Sequence, residues 1–191
     1  AQFSNTEAQA LVERIRASGK RLTTIFISHG DPDFYFGLDT LTRAYPDAKV
    51  LATPATVAYI EKTRAPKLAY WGPILKDSAP ARTQVPERLQ GNVLELEGQR
   101  IEVVGHHPQH TSLWIPAIKA VVGGVLTSAN IHLWVADAQS AEARQRWLKS
   151  LDELEALRPT TLVPGHYLGK PAMGLDDLRF TREYLLTLEQ Q

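Results

Sequence analysis

A layered α/β domain is the architecture this sequence predicts. Segments with helical period alternate with short apolar, β-branched runs, and the chemistry-bearing residues fall just after those runs. Thr23-Thr24-Ile25-Phe26-Ile27 is the clearest such run. It reads as a buried strand that delivers His29, Asp31 and Asp33 into the loop beyond it. Open α/β sheets bind ligands at the carboxyl ends of their strands, so this placement already points to a site.

The elements follow in order. Thr6-Glu7-Ala8-Gln9 has capping-box spacing, and Ala8, Leu11, Val12 and Ile15 form the apolar stripe of a first helix that ends at Ser18-Gly19-Lys20. After the strand and its loop, Leu38, Leu41 and Tyr45 predict a short helix stopped by Pro46. Lys49 to Ala52 reads as a strand, and Thr53-Pro54 opens a helix with Thr53 as N-cap, fading near Pro66. From Leu68 to Asn92 the pattern predicts a long irregular loop. Val93 to Leu96 and Ile101 to Val104 flank a turn at Glu97-Gly98-Gln99-Arg100 and predict a hairpin. Leu113 to Pro116, Ile118 to Val122 and Val125-Leu126 read as short strands bent at Gly123-Gly124. Asp137 to Ser140 opens a helix with Trp147, Leu148, Leu151, Leu154 and Leu157 on one face. Thr160 to Val163 is the last strand, and a closing helix starts at Asp176.

The chain's 191 residues can bury a real core and are read as one domain, residues 1–191. Its 21 basic and 21 acidic side chains cancel, so no global field draws it to nucleic acid or to an anionic membrane. No apolar run is long enough to span a bilayer, and the start lacks a signal-peptide pattern. Without cysteine there is no disulfide, no thiolate metal site and no thiol nucleophile. That fits a cytosolic or an exported protein, with a slight preference for the cytoplasm.

Three strand-end segments carry the candidate chemistry. In the first, His29, Asp31 and Asp33 alternate, with Gly30 and Pro32 between them. Alternate residues of an extended segment face one way, so this set can converge on one cation, and its donors suit zinc, manganese or iron. The bland reading of the same residues is a polar turn in which Asp31 or Asp33 caps the next helix. In the second, Gly105 to Ser112 holds His106, His107 and His110, half of the six histidines. The last strand delivers Pro164-Gly165-His166.

In this order, His29-x-Asp31-x-Asp33, His106-x-Pro108-x-His110-Thr111 and Val163-Pro164-Gly165-His166 resemble the metal motifs of the metallo-β-lactamase fold superfamily. The likeness runs over essentially the whole chain. It is strongest to the branch that reads His-x-Asp-Pro-Asp in place of His-x-His-x-Asp-His. The resemblance implies an α+β fold, an αββα sandwich with one or two divalent ions at the sheet edge. It implies His29, Asp31 and His110 for a first ion and Asp33 and His166 for a second, with Asp33 also orienting or deprotonating the attacking water. Zinc is the first expectation for the ion, and iron or manganese the alternatives.

Departures from that pattern shape further expectations. Asp31 replaces a histidine, Phe34 stands where the family often has another, and Gly124 occupies the position of the bridging aspartate. One ion is therefore expected rather than two. His132 facing inward would compensate, although a buried histidine beside Trp134 is the preferred reading. The family's first strands have no counterpart before Phe3, so the N-terminal part of the first sheet is expected to be missing. A homo-oligomer is the expected cover for the side so exposed.

The expected substrate is a small molecule, met by Tyr35, Tyr70, Trp71, His106 and His132, although for Trp71 a plug at the core edge is preferred. Two functions follow: a metal-dependent hydrolase, or a metal-poor, inactive binding protein of the same fold. The chain lacks a basic stripe interleaved with aromatics and a Gly-x-Ser-x-Gly elbow, which disfavours nucleic-acid binding and serine hydrolysis.

Overall fold

Ser4 opens the first helix, α1 (Asn5–Ala17), with a reciprocal capping box: its hydroxyl accepts from the Glu7 amide while the Glu7 carboxylate takes the Ser4 N–H. The box therefore starts two residues before the predicted Thr6, because Ser4 and Glu7 satisfy the same spacing earlier in the chain. The computed structural model describes residues 1–107 and 109–190; Pro108, in the second histidine motif, lies outside them. The chain divides into two compact units, Ala1–Gln90 and Gly91–Gln191. No helix among the described residues is long and apolar enough to cross a membrane.

The first unit is built on a three-stranded parallel sheet. Strand β1 (Thr24–Ile27) leads into a short helix α2 (Pro32–Tyr35) and then α3 (Leu38–Ala44). Strand β2 (Lys49–Ala52) pairs with β1 from Thr24↔Lys49 to Ile27↔Ala52. Helix α4 (Pro54–Leu75) has Thr53 as N-cap and Pro54 at its first position, as predicted. The short β3 (Glu87–Arg88) then adds to β2. Ile27, Tyr35, Phe36, Leu38, Val57 and Ile60 form this unit's core.

Helix α4 overturns the expectation of a loop from Leu68. It runs on through Pro66 and Pro73 to Leu75. Leu68, Trp71 and Leu75 recur at i, i+3, i+7 and pack on the core, and Phe3 meets Trp71 edge-on at 5.1 Å. That burial outweighs the hydrogen bonds the two prolines remove. The irregular stretch shrinks accordingly, its start taken up by a 3-10 turn at Lys76–Ser78.

The second unit holds a five-stranded sheet in the order β4-β5-β6-β7-β9. Strands β4 (Val93–Leu96) and β5 (Gln99–His107) form the predicted hairpin, with Glu97 and Gly98 both at positive φ, as a tight two-residue turn needs. Strand β6 (His110–Ile115) returns antiparallel to β5, and β7 (Ala120–Val122) follows it. Ile118 lies in a 3-10 turn and Val125-Leu126 in no strand; the next strand, β8, is Ser128–Ala129. Gly123 and Gly124, both at positive φ, turn the chain out of the ladder there. Helix α5 (Ala141–Ala156) buries Leu148, Leu151 and Leu154 on the predicted face. Strand β9 (Thr161–Val163) pairs parallel to β7, and β10 (His166–Tyr167) parallel to β8. Helix α6 (Leu175–Leu188) closes the unit, and Leu178 and Leu185 join Leu151, Leu154 and Leu162 in its core.

Candidate metal centre

Strand β1 ends at Ile27, and the chain beyond it brings His29 and Asp31 together. The His29 ring is buried, and its Nε2 lies 3.1 Å from Asp31 Oδ2. Gly30 between them is required: a Cβ there would overlap the Tyr59 ring. Asp31 occupies the N-cap position of α2 but makes no capping hydrogen bond. Its second oxygen instead accepts from Lys67 Nζ at 2.6 Å. The helix-cap reading of Asp31 is thereby set aside.

Lys67 is itself held. It donates to the Gly30 carbonyl at 3.1 Å and lies 4.4 Å from the centre of the Tyr59 ring. Burial would push the Asp31 carboxyl up; the hydrogen bond and charge of His29, then those of Lys67, overcome it and hold the group well below the usual carboxylate range. Phe34 meets the His29 ring edge-on at 5.4 Å, so its position is filled by packing rather than by a donor. Asp33 is half-buried in the first turn of α2.

The remaining first-unit candidates divide by burial. Tyr35 is fully buried in the core, its hydroxyl without a hydrogen-bond partner, and burial raises its pKa, helped by the charges of Asp31 and Tyr59. Its ring packs at 5.2 Å against Phe36, an environment suited to core structure rather than to direct substrate contact. Tyr70 is exposed, whereas Trp71 packs against the core edge, the role preferred for it from sequence.

In the second unit, the β5–β6 ladder shifts register between Val104 and His107. Gly105 sits there at φ +127°, and a Cβ on it would crowd the His110 carbonyl at 2.6 Å. The shift pairs His107 with His110, whose rings lie 4.6 Å apart and line a cavity of about 40 Å³ with Leu126, Arg146, Trp147 and Ser150. His106 points elsewhere: its Nδ1 lies 3.2 Å from Glu153 of α5. His166 is exposed on β10, in register with Ser128. His132 is exposed and meets the Tyr184 hydroxyl at 3.0 Å, and Trp134 is 73% exposed. The expectation of a buried histidine beside Trp134 is therefore corrected; the apolar pattern around them reflects Leu133, which alone of the three turns inward.

Within either unit taken alone, no three imidazole or carboxylate donors among the described residues lie mutually within 4.8 Å. The structure brings together His29 with Asp31, and His107 with His110.

A family model for the metallo-beta-lactamase superfamily matches residues 3–166. The chain belongs to the metallo-beta-lactamase superfamily. Among solved structures it is similar to metallo-beta-lactamase IND-7, with TM-score 0.65 and 20% identity over 93% of this chain and 75% of that one. It is also similar to the DIM-1 metallo-beta-lactamase, with TM-score 0.66 and 21% identity over 98% and 80% of the two chains. A metallo-beta-lactamase from Pontibacter korlensis aligns with TM-score 0.64 and 17% identity over 93% and 76%. At such identities the likeness establishes the fold, in agreement with the class read from the sequence. No curated protein matches the chain.

Superfamily membership supports a metal-dependent hydrolase in general, and the superfamily is typically dependent on divalent metal. The donor chemistry at β1 fits such an ion. Two ligands of a tetrahedral ion with bonds near 2.0 Å stand about 3.3 Å apart, close to the 3.1 Å between His29 Nε2 and Asp31 Oδ2, which is also an ordinary hydrogen-bond distance. At Gly124, the position expected from the resemblance for a bridging aspartate, φ is +82° and a Cβ would overlap the Thr111 carbonyl oxygen. Lys67 and Tyr59 are contributors that sequence reading missed. Helical period through Pro66 is the signal that could have found Lys67, which falls two turns after Tyr59 on the same face.

Proposed function

We propose that this chain is a hydrolase that uses a single divalent ion, zinc first, held by His29 and Asp31. Motif order adds Asp33, His110 and His166 as ligand candidates. The observation that carries the reading is the pairing of buried His29 with half-buried Asp31, the carboxylate kept ionised at a strand end and spent on no helix cap. The carboxylate stands ionised beside a buried imidazole at a strand end, and perturbed groups so placed cluster at functional sites.

The ion, when bound, supplies Lewis acidity and a water of lowered pKa. The protein's part is positional. His29, clamped edge-on by Phe34, presents Nε2 from a buried site that excludes competing water. Asp31 offers Oδ2 while Lys67 occupies Oδ1. Asp33 is proposed to take the proton of the attacking water. Tyr70, His106 and His132, all exposed, are proposed to meet the small-molecule substrate. The scissile bond is an ester, amide, lactam, lactone, thioester or phosphodiester. A lactam belongs in the screen because a solved relative is a DIM-1 enzyme exposed to ceftazidime.

Elemental analysis of protein purified without chelator tests the reading. About one equivalent of ion per chain is expected, with uptake falling at least about tenfold in His29→Ala and in Asp31→Asn. Hydrolysis in the screen should vanish on chelation and return with zinc. Absence of uptake even with excess ion would leave the metal-poor binding protein as the surviving function.

A further inference from the structure

Lys67 performs a task the motif does not describe. Where Asp31 stands, the superfamily motif has an imidazole, which is neutral and offers one nitrogen to an ion. A carboxylate adds a negative charge and a second oxygen, so its ligation is ambiguous between one and two contacts. Lys67 answers both problems. The ammonium of Lys67 lies 2.6 Å from Asp31 Oδ1, balancing the charge, and leaves Oδ2 directed at His29 Nε2 at 3.1 Å.

The lysine is not a passing surface partner. Its side chain is 19% exposed, and its donors are divided among the Asp31 carboxylate, the Gly30 carbonyl and, at 3.4 Å, the Tyr59 hydroxyl. Tyr59, eight residues earlier on α4, supplies the ring beneath its charge and the surface that excludes any side chain at Gly30. Helix α4 thus reaches across the loop and grips it at two successive residues.

We propose that Lys67 is a positioning residue for Asp31, fixing it as a one-oxygen ligand through Oδ2. The proposal rests on the reading of His29 and Asp31 as ligands. Partners of this kind, one bond removed from an ion, set ligand orientation and typically change metal affinity by about 10- to 100-fold when removed.

The test uses the full chain and Co²⁺ alone, titrated against a chromophoric chelator and followed by its visible absorption. Lys67→Met should weaken Co²⁺ binding by about 10- to 100-fold and alter the absorption bands, since a freed Oδ1 changes the coordination. Lys67→Arg, which keeps charge and donors, should recover most of the affinity. In an Asp31→Asn background, Lys67→Met should cost nothing further, which separates positioning from a merely structural role. Equal affinity and an unchanged spectrum in Lys67→Met would overturn the proposal. Tighter binding would overturn it too, showing that the ammonium competes with the ion. Failure of the unmodified chain to take up Co²⁺ would instead defeat the ligand reading, and this proposal with it. Melting curves of the chelated variants confirm that each is folded.

Discussion

Tyr35 shows how a single atom sets a testable balance. Its ring is fully buried and its hydroxyl unpartnered, so the group has lost water without gaining a bond. Tyr35→Phe should therefore raise stability by about 1 kcal/mol near neutral pH, the lower end of the penalty for an unsatisfied buried polar group. The pH dependence has a definite sign. Burial raises the folded-state pKa, so the folded chain keeps this proton after the unfolded chain has released it. Stability is thus fully present below the unfolded value of about 10 and declines as pH rises above it. Urea midpoints measured at neutral pH and above pH 10 should show that Tyr35→Phe abolishes part of the alkaline decline; an unaltered decline would contradict the assignment. Gly124 gives the opposite case. Gly124→Asp, which puts an aspartate where the resemblance expects a bridging ligand, should add no metal. It should instead cost about 2 to 5 kcal/mol, combining left-handed strain with overlap on the Thr111 carbonyl.

At the scale of elements, α4 decides most. Its two internal prolines would end a solvent helix, yet Leu68, Trp71 and Leu75 gain enough burial to carry it to its end. Pro66 is exposed, so its replacement disturbs no packing. Pro66→Ala should stabilise the chain by about 2 kcal/mol: a mid-helix proline costs about 3 kcal/mol, offset by about 1 kcal/mol from its restriction of the unfolded chain. A urea midpoint that falls in this variant would mean that the helix is bent by design at this point. Helix α4 also carries Lys67 and Tyr59 to the β1 loop, so the partners of the candidate ligands lie far from them along the chain. The β5–β6 bulge has the same character. The sequence predicted strands at Ile101 to Val104 and Leu113 to Pro116 with the histidines in a loop between them. Instead, β5 runs on through His107 and β6 starts at His110, with the register shifted near Gly105.

For the whole molecule, the proposed metal binding would be linked to stability. An ion bound only by the folded state adds about 4 kcal/mol when its free concentration is a thousandfold above Kd. For a chain of this size that corresponds to a rise of about 8 to 16 °C in Tm. Calorimetry with zinc and then with chelator should show that shift, and Asp31→Asn should lose most of it. A Tm insensitive to both would argue against a folded-state site. The 21 basic and 21 acidic side chains cancel, so the net charge supplies no overall attraction for a charged ligand.

The sequence by itself determined what depends on neighbours along the chain: the strands at Thr24–Ile27 and Lys49–Ala52, the Thr53-Pro54 helix start, the Glu97-Gly98 hairpin and the apolar face of α5. Period and capping are local, so they are legible without coordinates. The motif order was legible for the same reason, and with it the superfamily. Only the tertiary structure decided that Asp31 serves His29 and Lys67 rather than capping a helix. Residues 36 positions apart meet through packing that no local pattern encodes. It likewise decided that Trp134 and His132 face outward, that Tyr35 belongs to the core, and that Gly124 has no room for a ligand. Burial and close backbone approach are set by what the rest of the chain places nearby, and these fix how the donor atoms are oriented.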